Sequence, residues 1–201
     1  MDQPRATGLR ERKKRDTRRA LALAAQELVH AHGLDQVTVD EIAAEADVSV
    51  RTFFNYFSSK EEALVGIDPD VLVELSDELL ARPTDESPRE ALRAVLLTDF
   101  DPDGSLRRWQ LRNQLVDRYP ALLPRHLAAM VDVEAGLASA LAARAGVDPT
   151  TDPSPRILVA AVLAATRAAL AWWEASDRCI PLTDLLEQAF TSIATDLPRT
   201  P

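Results

Sequence analysis

Between Thr38 and Leu64 the chain restarts a helix three times. Thr38 is followed three residues later by Glu41, and Ser59 by Glu62, the spacing of reciprocal capping boxes; Ser49 between them is a further N-cap. Helices interrupted this often are short and hold together only by packing on one another. The middle segment, Ser49 to Phe57, sets Arg51, Thr52, Asn55 and Tyr56 among Val48, Phe53 and Phe57. A short helix, a tight turn and a second short helix with an apolar back and a polar face form the pattern of a helix-turn-helix DNA reader.

The rest of the chain fits an all-α protein. It has six glycines and two tyrosines in 201 residues, abundant Ala, Leu and Arg, and no runs of β-branched and aromatic residues of strand type. Cys179 is the single cysteine, so an internal disulfide or multi-cysteine metal site is excluded and a reducing, cytoplasmic setting is expected. No apolar run is expected to reach the roughly 20 residues of a membrane span. Arg18-Arg19 before ALALAA resembles a twin-arginine signal. That apolar stretch stops after six residues at Gln26-Glu27, shorter than a signal core, and reads as a cytoplasmic helix.

A net charge of −9 looks wrong for a DNA binder until it is divided. Residues 1–60 carry ten basic and nine acidic side chains, whereas residues 61–201 carry thirteen and twenty-three. The first nineteen residues alone hold eight basic and three acidic groups. A positive end on an acidic body orients a protein toward phosphate; an ordinary solubilising tail has the same composition.

In chain order, residues 1–9 are expected to be disordered, and a helix runs from about Arg10 to Ala31 and ends at His32-Gly33. After the three capped helices, Asp68-Pro69 starts a helix to Ala81, either separate or kinked onto the one before. Ser87-Pro88 with Glu90 starts another to about Asp99, and Ser105 to Arg118 is the next. Ala121 to Ala145 follows, then a helix capped by Ser154-Pro155 to about Ser176, and a last one from Leu182 to about Leu197. A head of residues 1–65 and a body of residues 66–201 are the expected domains.

Arg51, Thr52 and Asn55 share one helical face. Arg pairs bidentately with guanine and Asn with adenine, so these are the candidate base readers. Thr38, Tyr56 and Lys60, at helix ends, suit phosphate contacts, which position without specifying.

Residues 10–64, through AAQELVHAHGLDQVTVDEIAAEADVS and VRTFFNYFSSKEEAL, resemble the N-terminal domain of the TetR family of bacterial transcriptional regulators. The resemblance covers about a quarter of the chain. It implies a three-helix DNA-binding head on a larger helical body that dimerises and binds an inducer. By that analogy Thr38, Ser49, Val50, Arg51, Thr52, Asn55, Tyr56 and Lys60 face DNA, and the basic arm Arg10, Arg12, Lys13, Lys14 and Arg15 adds phosphate or minor-groove contacts. Two departures stand out. Phe54 replaces a phosphate-contacting tyrosine, removing that contact, and Val50-Arg51 replaces the common basic-then-glycine pair, which alters the operator read.

The body is less legible. Arg156 to Trp173 is alanine-rich, with small side chains on several faces that allow close helix approach; it reads as fully packed, in a core or in a four-helix homodimer interface made by residues 155–176 and 182–197. The sparse aromatics Phe100, Trp109, Trp172 and Trp173 are candidate walls of an apolar ligand pocket, with Arg112, Asn113 or Arg167 as polar anchors; plain core or interface packing accounts for each tryptophan as well. Trp172 and Trp173 point about 100° apart, so one at most is central. No metal site or cofactor is expected: His30 and His32 lack the i, i+4 spacing for one ion. The reading is a homodimeric repressor released from its operator by a small hydrophobic ligand. A helical small-molecule-binding or protein-interaction module without specific DNA binding is the alternative. An enzyme finds no nucleophile motif, phosphate loop or paired-histidine site.

Overall fold

The computed structural model describes residues 4–98, 105–176 and 179–193. Among the described residues the fold is all-α, built from ten α-helices and one short 3-10 turn. Helix α1 spans Pro4–His32, α2 Val39–Glu45, α3 Val50–Tyr56, α4 Lys60–Val65 and α5 Pro69–Ala81. Helix α6 spans Pro88–Thr98, α7 Ser105–Arg118, and the 3-10 turn Pro120–Leu122 leads into α8, Leu123–Ala145. Helices α9, Ser154–Ala175, and α10, Leu182–Ser192, complete it.

Several boundaries depart from the sequence expectations. Helix α1 begins at Pro4 rather than near Arg10, because proline is tolerated in a first turn and the Ala, Arg, Lys and Glu that follow favour helix. The basic segment is therefore part of a continuous helix, not a loose arm. Helix α5 is separate from α4: Gly66 leaves α4 with an extended ψ of 144°, and the Asp68 carboxylate caps α5 by accepting from the Asp70 N–H at 3.1 Å. Ser154 does not cap α9. Asp152 Oδ1 instead accepts from the Ser154 N–H at 2.8 Å, and Ser154 is itself the first helical residue. Helix α10 ends at Ser192, short of the expected Leu197; residues 194–201 lie outside the described residues.

The chain packs into two compact units that interleave along the sequence. The first comprises Met1–Asp70 and Asp103–Met130, the second Val71–Pro102 and Val131–Pro201. In the first, Leu21, Ala25 and Val29 of α1 meet Ile42 of α2, Phe53 and Phe57 of α3, Leu64 of α4, and Leu115 and Leu122 from α7 and the 3-10 turn. Burying a side chain the size of Phe53, fully enclosed here, stabilises by about 2–3 kcal/mol. Gln26 adds a polar tie, donating from Nε2 to the Leu64 carbonyl at 2.8 Å. Packing thus joins α7 to the three short helices, although about forty residues separate them in the chain.

In the second unit Leu79, Leu92, Val95, Leu137, Leu141, Val159, Val162 and Phe190 form the core. Helix α9 buries one face, through Leu158, Val162, Thr166 and Leu170, and exposes the other, including Ile157, Ala164, Ala168 and Trp172. It is therefore not packed on all sides within one chain. Residues Pro120–Ala145 and Ser154–Ala175 are long and apolar enough to cross a membrane by length and composition, which corrects the expectation that no segment reaches that length. An alanine-rich core helix has the same composition, and the buried faces of both segments contribute to the cores just described.

Candidate nucleic-acid interface

The interface is assembled by caps. At the start of α2 the capping box is complete: Glu41 N–H donates to Thr38 Oγ1 at 3.3 Å, and Thr38 N–H donates to Glu41 Oε2 at 2.8 Å. The Thr38 backbone N–H and hydroxyl hold the Glu41 carboxyl below its ordinary range. The turn after α2 closes with Asp47 N–H donating to the Ala44 carbonyl at 3.1 Å and Val48 N–H to the Ala43 carbonyl at 2.9 Å. This paired pattern needs a left-handed residue, and Asp47 supplies it with φ of 52°. Ser49 then caps α3, accepting from Thr52 N–H at 3.1 Å, with the Ser49 and Thr52 hydroxyls 2.8 Å apart.

At α4 the expected capping box is only half formed. Ser59 Oγ accepts from Glu62 N–H at 3.3 Å, but the Glu62 carboxylate turns to Ser58, accepting from its N–H at 2.7 Å and its hydroxyl at 2.6 Å. The reason is electrostatic: Arg125 lies 3.7 Å and Arg18 4.0 Å from the same carboxylate. Burial pushes the Glu62 carboxyl up, but the two Ser58 donors, with Arg125 and Arg18, outweigh it and hold its pKa below the ordinary value.

With Phe53 and Phe57 turned inward, α3 presents Arg51, Phe54 and Asn55 to solvent. Thr52 and Tyr56 are half-buried, and Val50 packs partly against the core. Lys60 engages the backbone: its Nζ donates to the Leu34 carbonyl at 2.6 Å and the Val37 carbonyl at 2.9 Å, which leaves one ammonium donor beyond them. On α1, Arg12, Lys13 and Lys14 are exposed and Arg15 is half-buried, while Lys14 Nζ lies 3.9 Å from Asp70. The backbone of Arg10 is helical; its side chain lies outside the described ones.

One central residue escaped the sequence reading. The Arg18 guanidinium donates to the Tyr56 carbonyl at 2.6 Å, lies 3.5 Å from Asp68, and covers the Phe57 ring at 4.3 Å. The only sequence signal was a basic position one turn before the apolar stripe of α1.

The candidate ligand residues divide between the units. Trp109, Arg112 and Asn113 are half-buried on α7 in the first. The Arg112 Nε is shut from solvent without a hydrogen-bond partner, and burial, with repulsion from Arg108, pulls that guanidinium down to about 10. Arg167 and Trp172 are exposed on α9 in the second unit, whereas Trp173 Nε1 donates to the Ile180 carbonyl at 2.9 Å. Phe100 lies outside the described residues. Among the described residues no cluster of His, Cys, Asp or Glu is disposed to hold a metal.

Two short capped helices joined by a left-handed turn, the second turning Arg and Asn outward, define a helix-turn-helix DNA-binding protein. A family model described as "Bacterial regulatory proteins, tetR family" matches residues 21–65, and one described as "MftR C-terminal domain" matches residues 86–198. The chain belongs to the TetR family of bacterial transcriptional regulators. It is 39% identical over 183 residues, 85% of this chain and 78% of the relative, to the transcriptional regulator TcmR of Streptomyces glaucescens. To MftR of Mycobacterium tuberculosis, named as a regulator of mycofactocin biosynthesis, it is 30% identical over 190 residues, 94% of each chain. Among solved structures, SmeT in complex with triclosan shares the fold, with a TM-score of 0.56 and 20% identity over 92% of this chain and 100% of that one. Family membership decides for the DNA-binding regulator over an interaction module that does not read DNA.

Proposed function

We propose that the chain is a homodimeric repressor that holds a two-fold operator with two copies of α3 and lets go when a small, predominantly apolar molecule binds. The carrying observation is the outward face of α3, where Arg51 and Asn55 stand exposed opposite the buried Phe53 and Phe57. Arg51 and Asn55 read base edges, Thr52 lies beside them, and Ser49 and Val50 border the groove at the helix start. Thr38, Tyr56, the remaining Lys60 donor and the basic turns Arg10, Arg12, Lys13, Lys14 and Arg15 meet phosphates, which makes binding steeply salt-dependent. Residues 1–65 are the DNA-binding domain and residues 66–201 the ligand-binding and dimerisation domain, at work in the cytoplasm.

The exposed face of α9, from Ile157 through Ala164 and Ala168 to Trp172, supports dimerisation through α9 and α10: small side chains admit a partner helix closely. Trp109, Arg112 and Asn113 are the proposed ligand contacts, the buried Arg112 Nε being a donor that an acceptor on the ligand would satisfy. That SmeT binds triclosan supports an apolar ligand here. Mobility-shift titration against an operator recovered by selection from random duplexes tests the reading. Arg51→Ala with Asn55→Ala abolishes discrimination between operator and random duplex, and unchanged discrimination refutes the assignment of α3. Ala168→Arg converts the dimer to a monomer in analytical ultracentrifugation; a dimer that persists refutes the α9 interface.

A further inference from the structure

Phe54 is 55% exposed on α3, the most exposed aromatic side chain among the described residues of the DNA-binding head. It shares its helix face with Arg51 and Asn55, both exposed hydrogen-bonding residues. What sets this ring apart from other exposed apolar side chains is its place on the face that carries Arg51 and Asn55. Among the groups that base edges present in the major groove, the C5 methyl of thymine is the apolar one. We infer that Phe54 is a specificity-determining residue that reads a thymine methyl in each operator half-site, an inference resting on the assignment of α3 as the reading helix.

The ring is held for that task. It meets the Phe53 ring edge to face, with centroids 5.4 Å apart and planes at 87°, and Phe53 is itself fully buried. An aromatic side chain braced on the core loses little conformational freedom on docking, so contact with a methyl is not offset by ordering the ring. Arg51 and Asn55, three residues before and one after, bring hydrogen-bonding groups to neighbouring bases on the same face, so Phe54 discriminates a pyrimidine methyl beside polar contacts to purines.

The test uses the full-length protein and its selected operator at low salt, where phosphate contacts keep binding measurable. Each thymine of a half-site is replaced in turn by deoxyuracil, which removes only the methyl. At one position per half-site affinity falls about fourfold, the effect of one buried methyl. Phe54→Ala binds thymine and deoxyuracil forms equally at that position, and Phe54→Leu keeps a reduced preference. A flat scan for the unaltered protein overturns the inference, as does a preference that survives in Phe54→Ala and vanishes in Val50→Ala. Recovery of an operator by selection, with loss of discrimination in the Arg51 and Asn55 variants, establishes the reading helix separately, so a flat scan there indicts Phe54 alone.

Discussion

Arg18 Nη1 donates to the Tyr56 carbonyl at 2.6 Å, so α1 closes the last turn of α3. The terminal carbonyls of a helix have no partner within it, and a cation there also complements the helix dipole. The same guanidinium lies 3.5 Å from Asp68, ahead of α5, and 4.0 Å from Glu62 on α4, with its side chain only 15% exposed. One residue of α1 therefore ties α3, α4 and the linker before α5 together at the carboxyl end of α3.

Arg18→Met, which keeps the apolar stem and removes the charge, is expected to destabilise the protein by about 2–3 kcal/mol and to weaken operator binding. Arg18→Lys fails to restore either, because a point charge cannot serve a carbonyl, two carboxylates and a ring together. Urea denaturation with mobility shifts measures both, and an Arg18→Met protein of undiminished stability refutes the proposed tie.

Glu62 makes stability depend on acid. Its folded pKa lies below the ordinary 4.5, so its contribution is fully present above that value and is lost as pH falls through the folded pKa. The stability gap between the protein and Glu62→Gln is expected to be wide at pH 7 and to shrink steadily below pH ~4.5. Urea midpoints for both proteins across that range give the measurement; a gap that does not vary with pH shows that the carboxylate charge is unimportant there.

Asp47 occupies a left-handed conformation with φ of 52°, which costs an L residue roughly 1–2 kcal/mol, about half of it offset in glycine by the greater entropy of the unfolded chain. Asp47→Gly is expected to raise Tm by about 2–4 °C while preserving the angle between α2 and α3. Asp47→Val is expected to lower Tm by more than that, since a β-branched residue resists positive φ. Differential scanning calorimetry checks both directions.

Arg112 keeps a buried Nε without a partner beside the like charge of Arg108. Removing a buried guanidinium whose Nε is unpaired relieves its desolvation cost, so Arg112→Met is expected to stabilise the free protein by about 1 kcal/mol. The same substitution is expected to blunt release from the operator by inducer. Greater thermal stability with intact induction would exclude Arg112 from ligand binding while leaving its burial cost established.

Phe53 and Phe57 were legible as the brace of α3, and Arg51 and Asn55 as its outward face, because a helix repeats every 3.6 residues and side-chain spacing alone places them. Thr38 and Ser49 were legible as caps for a similar reason: their hydrogen bonds reach only three residues along the chain. Ser59 with Glu62 had the same spacing and kept only half of the box, since Arg18 and Arg125 come to that carboxylate from remote segments.

By itself, the sequence determined the all-helical class, the short capped helices and the polar face of α3, all consequences of interactions between near neighbours. Tertiary structure alone decided that Arg18 closes α3, that Lys60 engages the carbonyls before α2, and that α7 packs with the N-terminal helices. Those contacts join residues dozens of positions apart, and their geometry follows from how helix faces bury against each other, which no local pattern encodes. The stretch from Thr38 to Leu64 carries the caps and the outward polar face of α3; packing against α1 and α7 holds that face in place.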